Sequence, residues 1–139
     1  MPYRNPEQRM MALAGQLAGK KGLILGASGF IGKNLYLRLK ELQNEIPFEI
    51  FTSCLSRSFN EIDRQHHVHG DLTDRQFVIS LFDQHEFDVV FQCAAVTSGI
   101  KDIVERPHLH VTNNAIMNSL VFEAAATTNV QHCIYLSCT

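Results

Sequence analysis

Two hydrophobic rhythms alternate along this chain. Short apolar runs bounded by glycine, proline or charge occur at Gly22–Leu25 (GLIL), Phe48–Leu55, His66–His69, Asp88–Gln92 and Cys133–Leu136. Each is too short for a helix, and several are rich in β-branched or aromatic residues, which predicts strands. Between them the apolar positions recur every three or four residues. Ile31, Leu35, Leu39 and Leu42 predict a helix over Phe30–Leu42, and Phe77, Leu81 and Phe82 predict another over Asp74–Gln84 with Thr73 as its N-cap. After a polar loop, Pro107 opens the approach to a long helix that ends near Asn129. Ahead of the first strand, Asn5-Pro6-Glu7 has the form of a helix start. Met10, Leu13, Ala14 and Leu17 continue it at helical spacing, giving a helical extension over residues 1–20.

Strands separated by helices, at spacings too long for hairpins, require right-handed crossovers and hence a parallel sheet covered on both faces. The expected architecture over residues 21–139 is therefore α/β: a doubly wound (Rossmann) parallel sheet of about five strands flanked by helices. In such sheets ligands bind beyond the carboxyl ends of the strands, where the strand order reverses. The residues that follow each strand are the ones to read for chemistry.

Composition narrows the partners. With 139 residues, 45% apolar and 19% charged, the chain suffices for one core and is not of disordered type. A formal net charge of −2 disfavours non-specific nucleic-acid binding, which needs many phosphate-neutralising Lys and Arg. No apolar stretch approaches the ~20 residues of a membrane helix, so neither a membrane span nor export is expected. Cys54, Cys93, Cys133 and Cys138 stand far apart without a C-x-x-C pair and read as reduced, buried thiols of a cytoplasmic protein.

The first strand runs into Gly26-Ala27-Ser28-Gly29-Phe30-Ile31-Gly32. Lacking Cβ, Gly26 suits a tight turn, Gly29 lets backbone amides approach a pyrophosphate, and Gly32 lets the helix pack on the sheet. The amides of Ser28, Gly29, Phe30 and Ile31, at a helix N-terminus, would receive the phosphates. A strand before the triplet and a helix after it favour dinucleotide binding over a glycine-rich turn that binds nothing.

With F-I-G at its end, this G-x-x-G-x-x-G resembles the extended short-chain dehydrogenase/reductase superfamily, the NAD(P)-dependent nucleotide-sugar epimerases, dehydratases and reductases. Gly70-Asp71-Leu72-Thr73-Asp74 resembles the family's G-D-L-x-D, which implies that Asp71 and Leu72 lie near the adenine. As a plain residue, Asp71 also suits a cap ahead of the next helix. Cys93-Ala94-Ala95 resembles H-x-A-A, so Ala94 and Ala95 are expected along the nicotinamide ribose and diphosphate. The helix with Asn113-Asn114 and Glu123-Ala124-Ala125, then Asn129-Val130 and the strand into Leu136-Ser137, matches the remainder, with Asn114 as the family's Asn.

Two departures accompany the resemblance. The family's catalytic hydroxyl follows the fifth strand; here the sequence is Ser137-Cys138-Thr139, with Cys138 at the matching position and Ser137 and Thr139 beside it. A thiol is a weaker hydrogen-bond donor than a hydroxyl. The family's Tyr-x-x-x-Lys and substrate domain, which come after that strand, are absent from the chain, so it is expected to be the incomplete, N-terminal portion of a larger enzyme. Tyr36-Leu37-Arg38-Leu39-Lys40 spells the same pattern, but on the first helix, away from the nicotinamide.

Cofactor choice turns on the end of the second strand, where a carboxylate selects NAD and an Arg accommodates the 2′-phosphate of NADP. Thr52-Ser53-Cys54-Leu55-Ser56-Arg57-Ser58 offers hydroxyls and Arg57 but no carboxylate before Glu61, which leans to NADP with NAD as the alternative. His66, His67 and His69 lack a completing carboxylate or Cys, so no metal is expected. Ala94–Ile100, with Pro107 and Asn114, is similar to a stretch of GDP-fucose synthases, which use NADPH. The resemblance implies a GDP- or UDP-linked sugar substrate and a homodimer paired through the long helix. Two other readings stay open: a non-catalytic NAD(P)-binding module, and a fragment inactive on its own.

Overall fold

The computed structural model describes Asn5, Gln8, Ala12 and residues 15–96 and 100–136. Of the expected N-terminal helix, Gln8, Ala12 and Gly15 to Leu17 are helical; Met10, Leu13 and Ala14 lie outside the described residues. The elements that follow are β1 (Lys21–Leu25), α1 (Phe30–Leu42), β2 (Glu49–Cys54), a 3₁₀ turn (Arg64–His66), β3 (His67–His69) and α2 (Arg75–Gln84). Then come β4 (Val89–Gln92), α3 (Ile100–Glu105), α4 (Pro107–Thr127) and β5 (His132–Tyr135). The strands form one five-stranded sheet in the order β3-β2-β1-β4-β5, and every pair is parallel. The expected doubly wound α/β fold is the fold observed, and its strand order reverses between β1 and β4.

Two apolar layers hold the sheet. On one face Leu23, Leu25, Phe51 and Val90 pack against Val78, Leu81 and Phe82 of α2 and Met117, Leu120 and Val121 of α4. On the other, Ile24, Ile50 and Cys54 pack against Tyr36 and Leu39 of α1. Each large apolar side chain so buried contributes about 1.5–3 kcal/mol relative to exposure. At the amino-terminal edge Asp88 ties three strands together: its Oδ2 accepts from the Lys21 amide at 2.8 Å, and its carbonyl accepts from the Gln131 and His132 amides. These bonds bridge the amino-terminal ends of β1, β4 and β5.

Four local expectations need correction. Ile31 does not join the core face of α1; it is 51% exposed beside Phe30 at 87%, because the first turn of α1 forms the rim of an opening rather than a packing surface. Tyr36 takes the buried place instead. The cap of α2 is Asp74, whose Oδ1 accepts from the Gln76 amide at 2.9 Å, rather than Thr73. The stretch read as a polar loop contains α3, signalled by Ile100, Ile103 and Val104 at helical spacing. Finally, Cys133 is exposed, since β5 is an edge strand, whereas Cys54 is buried; both are free thiols.

Candidate functional site

The crevice lies at the reversal point. Leu25 of β1 is level with Ser53 of β2 and Gln92 of β4, so the chain leaves all three strands at one height. Gly26 turns with φ +75°, and its amide and that of Ala27 both donate to the Ser53 carbonyl, at 2.9 and 3.1 Å. A Cβ on Gly26 would stand 2.5 Å from the Ala94 Cα, so only glycine permits the β1 and β4 exits to touch. A Cβ on Gly32 would drive into the Gly26 carbonyl oxygen, which is why the helix can lie against the turn.

Gly29 is the N-cap of α1 in extended backbone, and no side chain caps the helix. No acidic residue stands in its first turn either. The opening amides of α1 therefore keep their hydrogen-bonding capacity and the positive end of the helix dipole. They face a crevice of about 460 Å³ lined by Gly26, Ser28, Gly29, Phe30 and Ile31 on one side. Ser53, Cys54 and Leu55 after β2, Gly70 to Thr73 after β3, and Cys93 to Val96 after β4 complete it, with Met117 behind.

Two loop walls are fixed by side chains that serve the backbone. The Oδ1 of Asp71 accepts from both the amide and the hydroxyl of Thr73 at 2.8 Å, shaping the turn into α2. Asn114 grips Val96 at both ends, its Oδ1 accepting from the Val96 amide at 2.8 Å and its Nδ2 donating to the Val96 carbonyl at 3.0 Å. Beneath, the buried Gln92 donates to Asn118 Oδ1 at 2.8 Å and accepts from the Ala94 amide at 3.3 Å. Asn118 in turn donates to the Tyr135 hydroxyl. The chain from Cys93 to Val96 is thus held from α4 and β5.

Two groups in the crevice carry distinctive electrostatics. The Ser53 hydroxyl is buried and has no hydrogen-bond partner, a costly arrangement unless a ligand supplies one. Burial pushes the Cys93 thiol above its ordinary pKa, so it stays protonated. Among the described residues, no carboxylate other than that of Asp71 lines the opening.

The structure brings together Gly26, Ser28, Gly29, Phe30, Ile31, Asp71, Leu72, Ala94 and Ala95 around one opening. Gly32 packs beneath the turn, and Asn114 acts through the β4 loop rather than lining the crevice. Arg57 is exposed on the β2–β3 connection, two residues beyond the lining Leu55. Ser137, Cys138 and Thr139, and with them Thr97 to Gly99, lie outside the described residues. Among the described residues no three His, Cys, Asp or Glu converge to hold a metal; His67 and His69 instead meet ring edge to ring face at 4.5 Å. Ser53 and Leu55 belong to the stretch read for cofactor choice and line the crevice, whereas Gln92 and Met117 escaped sequence reasoning. A signal existed for Gln92, a lone amide ending an apolar strand run, whereas Met117 is one more apolar position on a helix.

Fold, reversal point and uncapped helix define a dinucleotide-binding α/β protein. The NAD dependent epimerase/dehydratase family model matches residues 22–139, and the chain belongs to that family. It is 26% identical over 121 residues to a UDP-glucose 4-epimerase of Yersinia enterocolitica, covering 83% of this chain and 36% of that protein. An epimerase of Methanothermobacter thermautotrophicus superposes with a TM-score of 0.76 at 23% identity, covering 94% of this chain and 39% of that one. A UDP-glucose 4-epimerase of Bifidobacterium longum, solved with NAD+ and UDP, superposes with a TM-score of 0.70 at 16% identity, over 86% and 37%. At such identities the superpositions establish the fold alone. The chain spans little more than a third of the length of these relatives.

Proposed function

We propose that this chain is the dinucleotide-binding part of a nucleotide-sugar epimerase, dehydratase or reductase, and that its cofactor is NADP rather than NAD. The observation that carries the binding role is the uncapped N-terminus of α1, opening on a crevice that Gly26 and Ala94 bring to the reversal point. In this reading the amides of Ser28, Phe30 and Ile31 hold the pyrophosphate, while that of Gly29 donates to the Gly26 carbonyl at 3.1 Å and serves the turn; Asp71 and Leu72 border the adenine, and Ala94 and Ala95 let the nicotinamide ribose pass close. When bound, the nicotinamide supplies hydride transfer to or from a sugar carbon. This chain's part is to bind and orient the cofactor. The proton transfers would fall to residues beyond β5, where Ser137, Cys138 and Thr139 are the candidates from this chain.

The preference for NADP rests on the β2 exit, which carries the exposed Arg57 and no acidic side chain from Leu55 to Asn60 that would exclude a 2′-phosphate. The substrate class rests on the family and on relatives that act on UDP-sugars. A GDP-linked sugar, as in the fucose synthases, is the alternative motivated by Ala94–Ile100 and Asn114. A homodimer in the cytoplasm completes the proposal. Its support is the run of exposed apolar residues on α4, Leu109, Val111, Ile116 and Phe122, which a second copy would cover.

Calorimetric titration with NADPH and NADH tests this reading. Saturable binding, tighter for NADPH, is expected; heat from neither cofactor would remove the binding role.

A further inference from the structure

The pattern Tyr36-x-x-x-Lys40 on α1 has no place at the nicotinamide, yet Tyr36 is 1% exposed and its hydroxyl is engaged. It accepts from the Asp63 amide at 2.9 Å and donates to the Glu61 carbonyl at 3.3 Å. Both partners belong to the connection between β2 and β3. Two further contacts from α1 grip the same segment: Lys33 Nζ lies 3.9 Å from the Glu61 carboxylate and 4.9 Å from the centre of the Phe59 ring. Phe59 meets the Tyr36 ring edge-on at 5.5 Å. The far end of the connection is therefore pinned to the helix whose N-terminus faces the crevice.

The near end of that connection starts in the crevice itself, at Ser53, Cys54 and Leu55. Arg57 stands between the two fixed ends, exposed and without an ion pair among the described residues. An unpaired guanidinium on a short tether between two anchors samples a small region. If one anchor is released, the tether lengthens and the same charge spreads over a larger volume, lowering its effective concentration at any one spot.

We propose that Tyr36 is a positioning residue for cofactor choice: by docking Glu61 and Asp63 onto α1, its hydroxyl holds Arg57 beside the 2′-substituent of the adenosine ribose. The proposal rests on the NADP reading given above. It absorbs a tyrosine that glycine-loop chemistry does not need, and it separates recognition of the 2′-phosphate from recognition of the pyrophosphate, which α1 performs with its backbone.

The test is the affinity of the chain for NADPH and NADH in wild type, Tyr36→Phe, Arg57→Ala and the double variant. Tyr36→Phe keeps the ring and removes only the hydroxyl. NADPH affinity is expected to fall about five- to tenfold in Tyr36→Phe, NADH affinity to stay within twofold, and the effect to vanish in the Arg57→Ala background. Lys33→Ala, which loosens the second anchor on an exposed side chain, is expected to shift the same ratio less, and covers the case in which Tyr36→Phe does not fold. If wild type prefers NADPH and Arg57→Ala loses that preference while Tyr36→Phe and Lys33→Ala keep it, the positioning role is overturned and the cofactor reading stands. If wild type shows no preference, or Arg57→Ala leaves it intact, the cofactor reading fails and the positioning role with it.

Discussion

Two helices begin at the same edge of the sheet, a short step from one another, and they begin in opposite ways. α2 is closed by its own sequence: Asp74 accepts from the Gln76 amide, and the Asp71–Thr73 turn feeds straight into it. α1 opens on Gly29, which has no side chain to offer, and carries no acid in its first turn. A helix that opens on Gly in place of Asp or Ser gives up about a few tenths of a kcal/mol. The contrast is one of closure: α2 is finished by its own side chains, whereas α1 leaves its opening amides and dipole without a side-chain partner, which is what the proposed phosphate site requires.

The comparison is broken most severely at the turn below α1. Gly32→Val would force a branched side chain into the Gly26 carbonyl and the Ala27 Cα, and is expected to cost about 3 kcal/mol or more and abolish dinucleotide binding. Urea unfolding followed by circular dichroism reads the first, calorimetry the second.

Gly29→Asp sharpens it by giving α1 the kind of cap that α2 has. The backbone at Gly29 is extended, with φ −73°, so a side chain is admissible, and its Cβ would meet only the Gly26 oxygen at 3.3 Å. The carboxylate would accept from the free amides and repel phosphate. Stability is expected to rise by about 0.5–1 kcal/mol while cofactor affinity falls at least tenfold. Loss of binding with unchanged or lower stability would mean that the amides were not available to begin with.

Asp74→Ala is the mirror experiment, and a smaller one. Removing the cap of α2 is expected to cost about 1 kcal/mol and leave NADPH affinity within twofold, as read by thermal melts with and without cofactor. The smallest effect is a pH dependence away from both helix starts. Burial holds the His67 and His85 imidazoles below their ordinary pKa of 6.5. The unfolded chain then binds protons more readily than the folded one as pH drops through 6.5, so stability declines from there toward the lower, folded-state pKa. Above that window these two groups contribute no slope. His67→Asn is expected to flatten the decline, measured as melting temperature between pH 7.5 and 5.5.

The strands, their order of appearance and the glycine turn were legible because each has a local cause: apolar runs of strand length, and a backbone path that only glycine permits at Gly26 and Gly32. Helix faces were less so. Ile31 has the right spacing for a core position, but a helix start that borders a ligand crevice does not follow the packing rule, and the periodicity has no way to register that. Tyr36 was legible as a residue but not as an anchor, because its partners, Glu61 and Asp63, are backbone groups far along the chain. Ser53 illustrates the same limit, since an unpartnered hydroxyl is a property of its surroundings. The Asn114 grip on Val96 likewise joins α4 to a loop that shares no pattern with it.

The central claim is that the opening amides of α1, and not those of α2, hold the linked phosphates of a dinucleotide. Amide chemical shifts of the ¹⁵N-labelled chain, followed through a titration with NADPH, test it most directly. Large, saturating shifts are expected at Ser28, Phe30 and Ile31 with little change at Arg75 and Gln76. Saturating shifts confined to other regions, with Ser28, Phe30 and Ile31 unmoved, would contradict it.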